Sequence, residues 1–222
     1  MEDGKVMINV VYEDNHLLVA VKPAGVPVQA DKSGDIDFLS MLKGYIKEKY
    51  NKPGNVYLGL VHRLDRPVSG IMVFAKTSKC AKRLSSQVAN HELKKSYYAV
   101  VSGDIDSSGV YNDKLSKNSK FNKSFVSKDG KDAELSFEKK GFKNGLSLVD
   151  INLKTGRSHQ IRVQFSYHGF PLYGDQKYNG STPLDDIALF AYRLEFYHPT
   201  TYEYLSFSVP IPSRYPFNLF KN

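Results

Sequence analysis

The chain has 222 residues, of which 41% are hydrophobic, so it can bury a sizeable core as one large domain or as two joined halves. It contains no apolar run of about eighteen residues, and its start, MEDGKVMINVVYED, lacks the basic and then apolar pattern of a secretory signal. A single cysteine, Cys80, excludes an internal disulfide, and no Cys-x-x-Cys pair points to zinc. We therefore expect a cytoplasmic protein with neither a membrane segment nor a metal site.

The charge favours a polyanionic partner. Lys and Arg total 31 against 23 Asp and Glu, a formal charge of +8. One segment concentrates this excess, with Glu92 as its single acid and six basic residues: Lys76, Lys79, Lys82, Arg83, Lys94 and Lys95. Nucleic acid is the leading candidate, and a lysine-rich surface that serves only solubility is the alternative.

The first half of the chain predicts strands around one helix. VMINVVYED and LLVAVK are β-branched runs separated by a turn. Apolar residues at helical spacing then predict an amphipathic helix between Ile36 and Tyr50. The runs VYLGLVHRLD and GIMVFAK predict two buried strands, so we expect a loop containing Asp65 to join them.

The second half begins with a helix capped by Thr77 or Ser78, whose apolar face is Ala81, Leu84 and Val88. SYYAVVSG, AELSFEKK and LSLVDINL predict strands, and the lysine-rich region 104–130 predicts a long loop or a weakly ordered hairpin. A short helix contains Ile161, and the last forty residues alternate as strands. Because strands outnumber helices and do not alternate with them, the pattern indicates an α+β fold with a largely antiparallel or mixed sheet.

Three segments combine residues that could carry chemistry. In HRLDRPVSG, Asp65 lies among three possible cations that favour its ionised form, although a turn aspartate in a neutralised surface cluster is the more ordinary interpretation. In KKSYYAVV, alternation places Tyr97 and Tyr98 on opposite faces of a strand, so one ring could stack on a base while the other joins the core.

The third segment, TGRSHQIRVQ, packs hydrogen-bond donors beside core-like residues. It contains Arg157, His159, Gln160 and Arg162. An arginine can form a two-bond fork with a phosphate or with a carboxylate. A structural arginine paired with some other acid remains the alternative.

Together these segments resemble the motifs of the RluA-type pseudouridine synthases, whose nucleophile lies in a His-Arg-Leu-Asp-x-x-Thr-Ser-Gly run. VYEDNHLLVAVKPAGVPVQ resembles the family's opening strands and Lys-Pro-x-Gly turn, and KKSYYAVVSG its Lys-x-Tyr strand. TGRSHQIRVQFSYHGFPLYGDQKY and LEFYHPTTYEYLSFSVPIP complete the similarity, which covers residues 10–212 in unchanged order.

The resemblance implies one catalytic domain over residues 1–222, with a central, bent, mixed and largely antiparallel sheet in two halves and the active-site cleft between them. It implies that Asp65 is the catalytic carboxylate, that Tyr97 stacks on the target uracil, and that Arg162 pairs with Asp65. His62 and Arg63 match positions near the flipped-out nucleotide, and either is a candidate to fill the vacancy left in a stem. Arg157, His159 and Gln160 are expected RNA contacts.

The implied reaction isomerises uridine in ribosomal or transfer RNA and needs no metal or organic cofactor. Asp65 would act either as a nucleophile at the anomeric carbon or as a base at the 2′ position. The sequence departs from the family pattern at Val68, Ser158, Gln164 and Phe190. It also begins directly with the catalytic domain, without the small RNA-binding domain of many relatives, so we expect RNA recognition through its own basic surface. We also expect a monomer.

Two other functions compete with this one. A catalytically degenerate relative could serve as an RNA-binding module in ribosome assembly, but the joint presence of Asp65, Tyr97 and Arg162 argues against it. An enzyme that hydrolyses the glycosidic bond would generally use two carboxylates, and only Asp65 lies in a motif.

Overall fold

The computed structural model describes residues 8–180 and 186–221, which form two compact units. The first unit comprises the chain up to Leu93 together with Glu195–Phe207, and the second comprises Lys94–Leu194 and the segment from Ser208 onward. Val6 and Met7 of the first predicted strand, and residues 183–185 and 222 of the final forty, lie outside the described residues.

The first unit is built on an antiparallel sheet. Strand β1 (Asn9–Glu13) pairs with β2 (Leu17–Lys22), which pairs along its whole length with β4 (Ser69–Ala75). The short β3 (Gly59–Leu60) lies on the other side of β4. The central strands β2 and β4 are buried on both faces, which explains their nearly continuous apolar sequences.

Two helices cover this sheet. Helix α1 (Phe38–Lys49) begins at Asp37, whose carboxylate accepts a hydrogen bond from the Ser40 amide. Helix α2 (Ser78–Ala89) begins at Thr77, which caps the Cys80 amide and confirms the predicted start. The Phe38 ring of α1 meets Phe74 of β4 edge to face at 5.8 Å, so the helix is anchored on the sheet by apolar packing.

The second unit contains a longer antiparallel sheet. Its strands are β5 (Lys94–Ser102), β6 (Ser108–Asn118), β7 (Lys123–Val126), β8 (Lys131–Lys143) and β9 (Leu146–Leu153), arranged in the order β5-β9-β8-β6-β7. Helix α3 (Gln160–Tyr167) packs on this sheet, where the Phe165 ring meets Tyr111 and Phe137.

The chain ends in two strands and a short helix. Strand β10 (Leu189–Tyr197) lies beside β5 and continues into the first unit from Glu195, where it turns back into β11 (Tyr204–Ser208). A 3-10 helix, Phe217–Phe220, follows. The α+β fold is confirmed, and the pairings β1-β2, β2-β4, β3-β4, β5-β9, β9-β8, β8-β6 and β6-β7 are antiparallel.

The predicted strand over VYLGLVHRLD is wrong for most of its length. Only Gly59 and Leu60 pair with β4, because beyond them the His62 ring accepts the hydrogen bond of the Val73 amide, at 3.1 Å from Nε2. A side chain thus takes the place of a main-chain carbonyl, and the backbone leaves the sheet before Asp65. The single domain and its cleft stay predictions.

Candidate active site

Asp65 lies in the loop that follows β3 and precedes β4. Its side chain is half-buried, and its neighbours Leu64 and Val68 point into the core. The Asp65 carbonyl accepts a hydrogen bond from the Val68 amide at 3.0 Å, which closes a tight turn around Pro67. The apolar anchors on both sides therefore hold the carboxylate in a defined place on the first unit.

Lys22 anchors the Asp65 loop through its backbone. This side chain is fully buried at the end of β2, and its ammonium donates to the carbonyls of Pro23, Val26 and Arg66 at 2.8, 2.7 and 3.0 Å. The buried charge thus faces the negative ends of three peptide dipoles. Because Arg66 directly follows Asp65, Lys22 ties the Lys-Pro-x-Gly turn to the backbone next to the candidate catalytic residue.

A second link joins the same two segments. Gly25 donates its amide to the Arg66 carbonyl at 3.0 Å, and Arg66 Nε donates to the Gly25 carbonyl at 2.9 Å. Gly25 has a φ of 77°, which suits glycine. Arg66 also forms an ion pair with Asp35. Its guanidinium therefore makes contacts that organise the loop.

His62 and Arg63 differ in their surroundings although they are adjacent. His62 is buried, and because its Nε2 accepts the Val73 amide, the imidazole is neutral with its proton on Nδ1. The expected cluster of three cations around Asp65 therefore loses one charge. Arg63 is exposed at the surface of the loop.

The two adjacent tyrosines of β5 face opposite sides of the sheet, as alternation predicts. Tyr97 is buried and lies opposite Ile151 of β9. Tyr98 stacks on Tyr192 with ring centroids 4.0 Å apart and an angle of 15°. Tyr192 in turn donates to the Asp150 carboxylate at 3.1 Å. The Tyr98 ring thus belongs to a stack within the protein.

Lys95 lies next to the arginine-rich loop of the second unit. Burial lowers the pKa of Lys95 below its ordinary value. A Cβ at position 156 would lie 3.2 Å from Lys95 Nζ, so the glycine of Thr155-Gly156-Arg157 gives the ammonium room beside the loop.

Arg162 forms a buried ion pair within the second unit. From α3, its Nε and Nη2 donate to the two carboxylate oxygens of Asp175 at 2.8 and 2.7 Å, and both side chains are at most 6% exposed. This is the two-bond fork that arginine geometry favours. The sequence left open that this arginine pairs with another acid. That is what the Nε and Nη2 edge of the guanidinium does, with Asp175 as the acid.

Tyr178 links Arg162 to His159. The Arg162 guanidinium lies 5.2 Å from the Tyr178 ring centre, and the Tyr178 hydroxyl lies 2.8 Å from His159 Nδ1. The same hydroxyl accepts a hydrogen bond from the Ser124 amide at 2.9 Å. His159 is buried at the N-terminus of α3, so it serves this packed cluster.

Gln160 holds the arginine-rich loop closed. Its buried side-chain oxygen accepts from the Thr155 hydroxyl and the Arg157 amide at 2.8 and 3.0 Å, and its nitrogen donates to the Glu134 carbonyl at 3.1 Å. Arg157 itself is exposed, with Nε donating to the Asp132 carbonyl. The glutamine therefore positions the arginine.

The departures from the family pattern mostly fall on interior positions. Val68, Gln164 and Phe190 are buried, and Ser158 is half-buried. Gln164 donates to the Asp113 carboxylate at 2.8 Å, which ties α3 to β6. These substitutions therefore act first on packing.

The predicted residues divide between the two units. His62, Arg63 and Asp65 share one loop of the first unit, while Tyr97, Arg157, His159, Gln160 and Arg162 belong to the second. Sequence reasoning did not assign Lys22, Lys95, Asp175 or Tyr178 to the site. The available signals were a lysine that ends an apolar strand before Pro23, and an acid and an aromatic in Gly174-Asp175-Gln176-Lys177-Tyr178.

Within residues 8–180 and 186–221, no helix is both long and apolar enough to cross a membrane. Residues 16–167 match the family model described as RNA pseudouridylate synthase. The chain is 34% identical over 212 residues to an uncharacterised RNA pseudouridine synthase of Bacillus subtilis, YlyB, covering 92% of this chain and 69% of that protein. It is also 34% identical to the ribosomal large subunit pseudouridine synthase C of Vibrio parahaemolyticus, covering 92% of this chain and 66% of that protein.

The fold resembles those of two solved human structures. RNA pseudouridylate synthase domain containing 4 superposes with a TM-score of 0.77 at 22% identity, over 92% of this chain and 88% of that one. RNA pseudouridylate synthase domain containing 1 gives 0.76 at 24% identity, over 96% and 88%. With the family match over residues 16–167, the chain belongs to the RluA-type RNA pseudouridine synthases, isomerases that act on uridine in RNA.

Proposed function

We propose that the chain isomerises specific uridines in structured RNA, with Asp65 as the catalytic carboxylate. Ribosomal RNA of the large subunit is the proposed first substrate, since the Vibrio parahaemolyticus relative carries that substrate in its name, and transfer RNA is the second. The protein would work in the cytoplasm as a monomer. The observation that carries the proposal is the anchored loop around Asp65. Lys22 and the Gly25 amide both donate to the carbonyl of Arg66, the residue after Asp65.

The reaction exchanges one bond of the uracil for another. The bond between N1 and the anomeric carbon breaks, the uracil turns, and carbon 5 bonds to the same anomeric carbon. Carbon 5 then loses its proton and N1 gains one, so the product has the composition of the substrate. Asp65 assists at the sugar, as a nucleophile at the anomeric carbon or as a base at the 2′ position.

Arg162 and Tyr97 complete the proposed site. The pair with Asp175 uses the Nε and Nη2 edge of the guanidinium, and an arginine has a second edge formed by its two Nη atoms. In the proposal that second edge holds the charge of Asp65, which supports an ionised carboxylate in a water-poor site. Tyr97 stacks on the detached uracil.

The remaining predicted residues have two kinds of role in the proposal. The exposed side chains Arg63 and Arg157 contact RNA, and Arg63 fills the space left by a uridine that swings out of a stem. His62, His159 and Gln160 are buried. In the proposal they fix the backbone of the two loops, and the exposed residues of those loops bind the RNA.

Pseudouridine mapping on RNA from cells with and without the gene tests this function. The deletion strain is complemented with the wild-type gene, with Asp65→Asn, or with Asp31→Asn, which changes an exposed carboxylate of the same unit. We expect one or more sites to disappear on deletion and to return with wild type and Asp31→Asn only. Unchanged RNA in all strains would contradict the enzymatic function, and free uracil released from RNA would indicate hydrolysis.

A further inference from the structure

Helix α2 presents lysines that no acid neutralises. The helix contains no Asp or Glu, and Lys79 and Lys82 are exposed one turn apart on its outer side. Within residues 8–180 and 186–221, neither lysine forms an ion pair. Lys76, just before the helix, differs because its ammonium donates to Glu13 at 2.8 Å and is mostly buried. The basic segment in the sequence therefore separates into a structural lysine and two that face solvent.

An exposed aromatic ring lies near Arg83, the residue that follows Lys82 in the same helix. Arg83 of α2 donates to the Pro199 carbonyl, and its guanidinium lies 5.8 Å from the Tyr202 ring centre. Tyr202 is 67% exposed, so its ring is open to a partner. Tyr202 also has a φ of 63°, in the left-handed region that bulky residues rarely adopt.

The turn that carries Tyr202 is held rigidly. His198 is buried, and its Nδ1 accepts the amides of Thr200 and Thr201 at 3.2 and 2.9 Å. Its Nε2 lies 2.9 Å from the Asp14 carboxylate, which fixes the ring from the other side. The orientation of the turn is therefore set before any partner binds.

Gln87 joins helix α2 to this turn. The Gln87 side chain donates to the Tyr197 carbonyl at 2.7 Å and accepts the Tyr197 amide at 2.8 Å. The side-chain amide thus bonds to both main-chain groups of one residue, as a neighbouring strand would. These two bonds fix the helix at the base of the turn. The backbones that carry the lysines and the tyrosine are thus joined, so a partner does not have to order them on binding.

We propose that Lys79, Lys82 and Tyr202 form an accessory RNA-binding surface on the first unit, separate from the Asp65 loop. Lysines spaced along a helix suit the phosphates of an RNA backbone, and a rigid exposed ring suits an unpaired base. The proposal rests on the proposed function for the choice of RNA as the polyanion. The surface would hold a part of the substrate that does not react, so it acts on affinity and not on the chemical step.

Filter binding tests the surface with a radiolabelled transcript of large-subunit ribosomal RNA over a series of salt concentrations. We expect the double variant Lys79→Ala/Lys82→Ala to lower the slope of log Kd against log salt by about 1.4 to 1.8, the value for two lost phosphate contacts. Tyr202→Ala should weaken binding by about 5- to 160-fold, as expected for one lost stack. The control Lys47→Ala/Lys52→Ala removes two exposed lysines at the other helix of the unit and should leave both values unchanged.

Isomerase turnover on the same transcript separates this proposal from the proposed function. At saturating RNA we expect the Lys79, Lys82 and Tyr202 variants to keep the wild-type turnover number, with matching thermal unfolding curves. A wild-type Kd and salt slope in these variants, with an active wild-type enzyme, would overturn the accessory surface alone. A wild-type protein that binds no RNA would overturn both proposals.

Discussion

At the residue scale, the sequence and the structure each supply one acid partner for Arg162. The sequence predicted a carboxylate partner but named Asp65, and the structure adds Asp175 on the Nε and Nη2 edge. Gly174 explains how Asp175 reaches this place, because it has a φ of 76° and a Cβ there would lie 2.7 Å from the Asp186 carbonyl. Such a pairing depends on tertiary contacts, so the sequence could indicate the residue types and not the pair.

Removal of the Asp175 charge should be strongly destabilising. Asp175→Asn keeps the shape of the side chain but leaves Arg162 buried beside a neutral amide, which we expect to lower the free energy of unfolding by about 3–5 kcal/mol. Urea unfolding measures this loss, with the exposed Asp129→Asn as control. A stability equal to that of the control would mean that the pair is not needed.

Lys22 should act on the chemical step through the Asp65 loop. Lys22→Met keeps the length of the side chain and removes the three hydrogen bonds to main-chain carbonyls, so the loop backbone loses its anchor. We expect kcat to fall by about tenfold or more, because small displacements of a catalytic group are costly, while KM for RNA changes less than about twofold. Steady-state kinetics against Lys47→Met checks this difference. An unchanged kcat would show that the loop keeps its geometry without Lys22.

At the element scale, the sequence predicted strands and helices best where apolar residues recur at a regular spacing. Strand β9 coincides with the predicted LSLVDINL, and α1 lies within the predicted limits. The β6 strand was harder to predict because its inward side mixes residue types: Gly109, Tyr111, Asp113 and Leu115. A Cβ at Gly109 would lie 2.7 Å from the Phe137 ring, and Asp113 accepts from Gln164, so long-range contacts set both. Alternation alone could not reveal this strand.

The elements of the first unit are joined at Glu13, which predicts a pH-dependent contribution to stability. Burial alone would raise the pKa of Glu13, but hydrogen bonds from four side chains outweigh it and lower the pKa to about 2. The four donors are Lys49, Lys76, Tyr50 and Tyr45. Since the ordinary value is 4.5, this contribution is complete above about pH 4.5 and is lost as the pH falls towards 2.

Glu13→Gln tests this contribution. At neutral pH we expect the free energy of unfolding to fall by about 1–3 kcal/mol, because charged hydrogen bonds become neutral ones. The difference from wild type should shrink as the pH is lowered from about 5 to about 3. Urea unfolding at each pH measures it, and the exposed Glu92→Gln provides the baseline. A difference that stayed constant over this range would contradict the assigned pKa.

At the scale of the whole molecule, the order of short motifs along the chain was sufficient to identify the family, and the strand-rich pattern was sufficient for the α+β fold. The motif residues themselves divide into exposed ones, such as Arg63 and Arg157, and buried ones, such as His62 and Gln160. The sequence could not separate these classes, because a polar residue is buried only where the folded chain supplies its hydrogen bonds.

The central claim, that Asp65 drives the isomerisation, is tested most directly by the hydrogen on carbon 5 of the target uracil, which must leave when carbon 5 bonds to the sugar. RNA that carries tritium at this carbon is incubated with purified wild-type protein or Asp65→Asn. We predict that wild type releases tritium into water with equal formation of pseudouridine. We predict that Asp65→Asn releases none above background while its Kd for RNA changes less than about threefold. Tritium release by Asp65→Asn at the wild-type rate would contradict the assignment of Asp65.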